Sequence, residues 1–168
     1  MPSVFEKFSL PCRRALRGAG SVAQGLRADA VTPTHLLYGI ASERGGIGAE
    51  LLLRSRLTSS RIHAHLAKFG AARRSAPPDL SPLAQAAIAR AALTANRLGH
   101  RYVGTEHLLA SLLEAGDDEL RHLLTHLGVN RRTLAERLAV VMKSTSRFPD
   151  LVDALEDPLR HGREGLDE

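Results

Sequence analysis

The chain has 168 residues, a formal net charge of +5, 43% hydrophobic and 4% aromatic residues, and a single cysteine. That hydrophobic share excludes wholesale disorder, the lone Cys12 excludes an internal disulfide, and no run approaches the length of a membrane-spanning helix. Scarce aromatics with abundant Ala, Leu and Arg suit tightly packed helices better than a sheet, and the length suits one core.

In chain order, Met1 to Phe8 is a short lead whose Phe5 and Phe8 are expected to pack on the core. It shows no signal-peptide pattern, and with the lone cysteine this leads to an expected cytoplasmic location. Ser9 before Pro11 signals a helix start. Ala15, Leu16, Ala19, Val22, Ala23 and Leu26 then recur at helical spacing. Thr32-Pro33 opens a second helix carrying Leu36, Leu37 and Ile40, which the Gly45-Gly46-Ile47-Gly48 turn ends. A short third helix holds Leu51 to Leu53, and Thr58 caps a fourth with Ile62 and Leu66 inward, ending near Gly70. Residues 70–80 carry Pro77-Pro78 and no periodicity, and read as a linker. Ser81-Pro82 opens a fifth helix to about Leu98, Thr105 a sixth, Asp117 caps a seventh and Asn130 an eighth that ends near Lys143. Residues 144–168 hold seven acids against three arginines, leaving a basic body and an acidic tail expected to be mostly disordered.

The second half repeats the first. An ungapped offset of 72 residues superposes Ser9 on Ser81, Ala15 on Ala87, Leu26 on Leu98, His35 on His107 and Leu66 on Leu138. The expected fold is therefore all-α: a duplicated, pseudo-twofold four-helix repeat of about eight helices in one compact domain. Repeat one covers about 5–69 and repeat two about 81–143, within a domain over 1–143.

Phe-Glu-Lys-Phe-Ser at 5–9, Leu-Gly-His-Arg-Tyr-Val-Gly-Thr-Glu-His-Leu-Leu at 98–109 and His-Leu-Gly-Val at 126–129 resemble the Clp N-terminal (Clp repeat) domain of ClpC-type AAA+ unfoldases. The first copy keeps only Thr-His-Leu-Leu at 34–37. The resemblance implies a non-catalytic module that receives substrates and adaptors, with no cofactor. No Gly-x-x-x-x-Gly-Lys-[Ser/Thr] phosphate loop occurs in these 168 residues, so the expected role is adaptor, competitor or decoy rather than motor. Implied partners are a ClpC-type unfoldase or Clp peptidase, and substrate or adaptor proteins. The chain is expected to be monomeric and off the membrane.

In relatives such domains bind phosphoarginine on tagged substrates, the phosphate at a hydroxyl-capped helix start and the guanidinium on the Glu of Gly-Thr-Glu-His. Ser81 and Glu106 match those positions in the second copy, while Ser9 and Thr34 match them in the first, where the carboxylate is lost. Unpaired N–H groups and the positive helix end favour an anion, and a carboxylate offers guanidinium a forked partner. The plainer reading is that Ser81 and Glu106 are ordinary residues at helix starts, Ser81 as an N-cap and Glu106 favoured by the helix dipole. The family's hydrophobic surface for cyclic-peptide antibiotics maps to Phe5, Leu80 and Gln85, with Leu80 in place of an aromatic and Gln85 in place of Lys. Phe5 and Leu80 also read as symmetry-related core anchors.

Other signals carry less. Gly18-Ala-Gly20-Ser-Val-Ala23 imitates a dinucleotide fingerprint but lies in a helical period with no strand before it. His122 and His126 are one turn apart without a third ligand at recognisable spacing, and His63 and His65 point apart on a helix, so no metal is expected. His35 and His107 read as buried structural histidines bonding a backbone carbonyl, and Cys12 as a packed thiol. Arg13, Arg14, Arg17, Arg73, Arg74, Arg131 and Arg132 offer charge to nucleic acid, but no recognition helix or stacking aromatics accompany them, so solvated surface is preferred.

Overall fold

The computed structural model describes residues 4–69 and 77–147, with side chains described for 6–69 and 77–144. The first part of the expected linker, residues 70–76, and most of the acidic tail lie outside these residues. After a 3-10 turn at Val4–Lys7 come α1 (Leu10–Gly25), α2 (Pro33–Ser42), α3 (Ile47–Arg54), α4 (Ser59–Leu66), α5 (Pro82–Arg97), α6 (Thr105–Glu114), α7 (Asp118–His126) and α8 (Arg131–Arg147). The last runs past the boundary expected at Lys143. No strand occurs among the described residues, only two parallel single-residue bridges, Phe8 with Val103 and Val31 with Leu80.

Local chemistry explains the helix starts. The Ser9, Thr58, Ser81, Asp117 and Asn130 side chains each accept a backbone N–H from the first turn, at Cys12, Arg61, Ala84, Leu120 and Thr133 respectively. Pro11, Pro33 and Pro82 occupy first-turn positions where a missing N–H costs nothing. Thr105, expected to start α6, is its first residue, and Gly104 is the cap.

The helix ends carry the duplication into backbone geometry. Gly99 and Gly128 follow α5 and α7 with φ of +71° and +70°, and their counterparts 72 residues earlier, Arg27 and Arg56, keep the same left-handed turn at φ 57° and 59°. The fold thus holds two arginines where glycine is the unstrained residue.

A single core spans both repeats. Phe8, Leu36, Leu37, Ile40, Leu52 and Ile62 from the first half pack with Leu108, Leu109, Leu112, Leu123 and Leu134 from the second, all almost fully buried. The repeats also meet where the Gly48 N–H donates to Thr105 Oγ1 (3.0 Å) and where Arg61 Nη2 donates to the Leu127 carbonyl (3.1 Å). Room for that seam is made by glycine: a Cβ on Gly46 would meet Thr105 Oγ1 at 2.8 Å and one on Gly48 would meet Ile40 Cγ2 at 2.6 Å. Gly18 lies close to the Gly39 Cα, in keeping with a packing role, while Gly20 faces open space.

Candidate functional site: the crossed helix starts

Each repeat's first helix begins against the other repeat. Ser9 donates its backbone N–H to the Val103 carbonyl (2.9 Å) and Val103 N–H returns to Lys7 (2.8 Å), so the start of α1 sits beside the loop that leads into α6. The symmetric exchange joins Ser81 N–H to the Val31 carbonyl (2.9 Å) and Val31 N–H to Asp79 (2.8 Å), setting the start of α5 beside the loop into α2. This changes the pairing expected from the aligned repeats. Ser81 spends its N–H on Val31, its hydroxyl on Ala84 N–H and its carbonyl on Gln85 N–H, and none of these reaches Glu106. The crossing brings Ser9 towards the Gly104-Thr105-Glu106 segment and Ser81 towards the Thr32-Pro33-Thr34 segment. Sequence alignment of the repeats aligns equivalent positions, and it carries no information about which copy each position faces.

Burial differs among the four residues. Ser81 is half-buried, whereas Ser9, Thr34 and Glu106 are 2%, 0% and 1% exposed. Glu106 Oε1 lies 3.0 Å from His107 Nδ1. That contact is not an ion pair, because burial, and secondarily the neighbouring His100, pushes His107 down to about 3 and keeps it neutral.

His107 is held from both sides. Its Nδ1 accepts the Gly104 N–H (2.8 Å), so in the neutral ring Nε2 carries the proton and donates to His100 Nδ1 (2.6 Å). In the first repeat Thr32 N–H donates to His35 Nδ1 (2.9 Å) in the same way. The two histidines therefore complete helix caps at the third position, where Glu or Gln is usual. The expected bond to a backbone carbonyl is corrected: the partner is a backbone N–H, since the ring closes the orphan donors at a helix start rather than the acceptors at a helix end. Ligand atoms of His100, Glu106 and His107 lie within 4.8 Å of one another. Both ring nitrogens of His107 are already engaged, which makes this a hydrogen-bonded core cluster rather than an open chelate.

Thr34 has a neighbour that sequence reasoning missed. Burial, followed by the nearby Asp117, pushes the Glu119 carboxyl up, and the Thr34 hydroxyl, which has no hydrogen-bond partner, is near enough to pull it the other way. Glu119, from α7 of the second repeat, thus stands against the position whose counterpart is Glu106. The same residue lines a groove of about 420 Å³ together with Asp29, Thr32, His35, Leu66 and Phe69. Asp29 also borders this groove, while Glu6 is exposed. Only a contact between α2 and α7, formed in three dimensions, could reveal Glu119.

On the second surface, Leu80 is partly buried against the core and bridges Val31, and the Gln85 amide donates to the Leu80 carbonyl (3.2 Å). The Phe5 side chain lies outside the described residues. Several basic residues have partners within the chain: Arg14 with Glu43 (3.4 Å), Arg132 with Glu136 (3.2 Å) and Arg131 with the Leu113 carbonyl. Arg73 and Arg74 lie outside the described residues. Cys12 is wholly buried. No helix of the described residues is long and apolar enough to cross a membrane.

Residues 79–155 match the family model described as the Clp repeat (R) N-terminal domain. An uncharacterized protein of Mycobacterium tuberculosis is 32% identical over 118 residues, which cover 68% of this chain and 46% of that protein, so the chain spans less than half of that relative's length. In fold the chain is similar to the N-terminal domain of the chaperone ClpD from Arabidopsis thaliana, with TM-score 0.71, 20% identity, and coverage of 84% of this chain and 97% of that one. It is also similar to the ClpV N-domain in complex with a VipB peptide, with TM-score 0.63, 19% identity, and coverage of 83% and 89%.

Proposed function

Because this chain belongs to the Clp repeat N-terminal domain family, we propose that it is a non-catalytic recognition module that captures peptides or tagged proteins for a Clp-type unfolding or degradation machine. The observation that carries the reading is the crossing of the helix starts, in which a serine-capped N-terminus of one repeat abuts the α2 or α6 start of the other. A helix N-terminus favours an anionic group through its orphan N–H groups and dipole. A carboxylate across from it favours a guanidinium. A zwitterionic phosphoarginine side chain needs both.

On this reading the two sites pair Ser9 with Glu106 and Ser81 with Thr34, and Glu119 supplies the second with a carboxylate, a pairing supported by the crossed backbone exchanges. Their surroundings differ. Glu106 is enclosed, whereas Glu119 borders an open groove with apolar walls at Leu66 and Phe69 that suit the methylene stem of an arginine. The test is calorimetric titration of free phosphoarginine, with arginine and phosphate as controls, into the wild type, Glu106→Gln and Glu119→Gln. Binding of phosphoarginine above both controls, weakened at least tenfold by one of the two substitutions, supports the reading. No heat with the wild type removes phosphoarginine as the ligand, and equal binding by all three proteins removes both carboxylates from the site.

A further inference from the structure

The residue that the sequence lacked for a metal site arrives from the other repeat. His122 and His126, one turn apart on the exposed face of α7, stack with ring centroids 6.5 Å apart and planes 12° from parallel. Beside the pair stands His65 of α4, its ring centroid 6.3 Å from that of His126. His65 is 6% exposed, yet neither of its ring nitrogens has a hydrogen-bond partner. A buried imidazole with both nitrogens unsatisfied is costly, and such groups call for an explanation. Phe69 closes the far side, its ring edge-on to His65 at 5.2 Å.

From this juxtaposition we propose that His65, His122 and His126 form a binding site for a borderline divalent transition cation of the zinc type, joining α4 of the first repeat to α7 of the second. Neutral imidazole is a preferred ligand of such ions, and a pair at i and i+4 on a helix presents two nitrogens to one ion. Three nitrogens at about 2.1 Å from zinc leave a fourth, solvent-facing position for water or a ligand group. Bringing the rings onto one ion requires their centroids to close to about 5 Å, a movement open to the exposed His122 and His126 by side-chain rotation. The duplication gives an internal contrast. At the positions equivalent to His122 and His126 the first repeat has Glu50 and Arg54, an ordinary surface ion pair at 3.5 Å. The histidine pair therefore does not follow from the repeat's architecture.

Zinc chloride is titrated into the full chain at pH 7.5 in a non-chelating buffer, followed by calorimetry and by thermal unfolding, and the titration is repeated with cobalt to read the visible bands of a tetrahedral site. One equivalent is expected, with a raised Tm because only the folded chain assembles the site. His122→Ala and His126→Ala, both at exposed positions, are each expected to weaken binding at least tenfold, and His63→Ala and His100→Ala to leave it unchanged. His65→Leu, checked for folding by circular dichroism, is expected to weaken it likewise and to abolish the tetrahedral cobalt bands, with His65→Gln as the substitute if the leucine variant does not fold. Absence of stoichiometric binding to the wild type overturns the proposal. So does wild-type binding by either α7 variant, loss of binding in His100→Ala, or unchanged affinity without His65, which would leave only a two-histidine surface chelate.

Discussion

Gly39 packs against Ala15 so closely that a Cβ at residue 39 would stand 2.0 Å from the Ala15 carbonyl oxygen and 2.9 Å from its carbon. Its counterpart in the second repeat, Ser111, has both a Cβ and a hydroxyl, and the hydroxyl donates to the carbonyl of Ala87, the counterpart of Ala15. One duplicated contact has thus become a backbone-on-backbone approach in one copy and a side-chain hydrogen bond in the other. Gly39→Ala must push α1 and α2 apart and is expected to cost about 2–3 kcal/mol or more. Ser111→Ala leaves the Ala87 carbonyl without that donor and is expected to cost about 1 kcal/mol. Urea unfolding of both variants checks the asymmetry, and equal effects would contradict it.

The left-handed turns after α1 and α3 make the opposite prediction. Arg27 and Arg56 occupy φ values of 57° and 59°, where a Cβ is disfavoured, while Gly99 and Gly128 fill the matching places without strain. Arg27→Gly and Arg56→Gly are each expected to stabilise the fold by about 0.5–1 kcal/mol, the relief at the turn exceeding the added freedom of the unfolded chain. A fall in the urea midpoint for both would refute this account.

Stability is also expected to depend on pH through the histidine caps. His107 is lowered to about 3 and His35 and His100 are lowered by burial, so between the ordinary histidine value and those lower values the unfolded chain binds protons that the folded chain does not. Stability therefore falls as pH drops from 7 through 5, each such proton contributing up to about 1.4 kcal/mol per pH unit. His107→Asn keeps an acceptor near Nδ1 for the Gly104 N–H but cannot titrate. Its stability should fall less steeply over the same range, measured as urea midpoints at pH 7, 6 and 5.

The serine caps separate structure from ligand. Ser81→Ala removes the acceptor of Ala84 N–H and is expected to cost about 1 kcal/mol of stability. Ser81→Asp keeps a capping oxygen while adding a negative charge. It should retain wild-type stability but weaken capture of a phosphorylated side chain at this helix start, as read by the same phosphoarginine titration. Unaltered binding by Ser81→Asp would take Ser81 out of the site.

Taken alone, the sequence determined the helices, their caps and the duplication. Helical periodicity, Ser-Pro starts and an ungapped 72-residue offset are local or translational signals, and each is visible along one dimension. Tertiary structure decided which copy faces which. The Ser9–Val103 and Ser81–Val31 exchanges cross between repeats, so the start of α1 lies beside the loop into α6 and the start of α5 beside the loop into α2. The same crossing of elements distant in sequence sets Glu119 against Thr34 and His65 beside His126. Shared burial of two amphipathic four-helix units makes these neighbours, because each unit covers its apolar face with the other, and no spacing rule within a single unit encodes that contact.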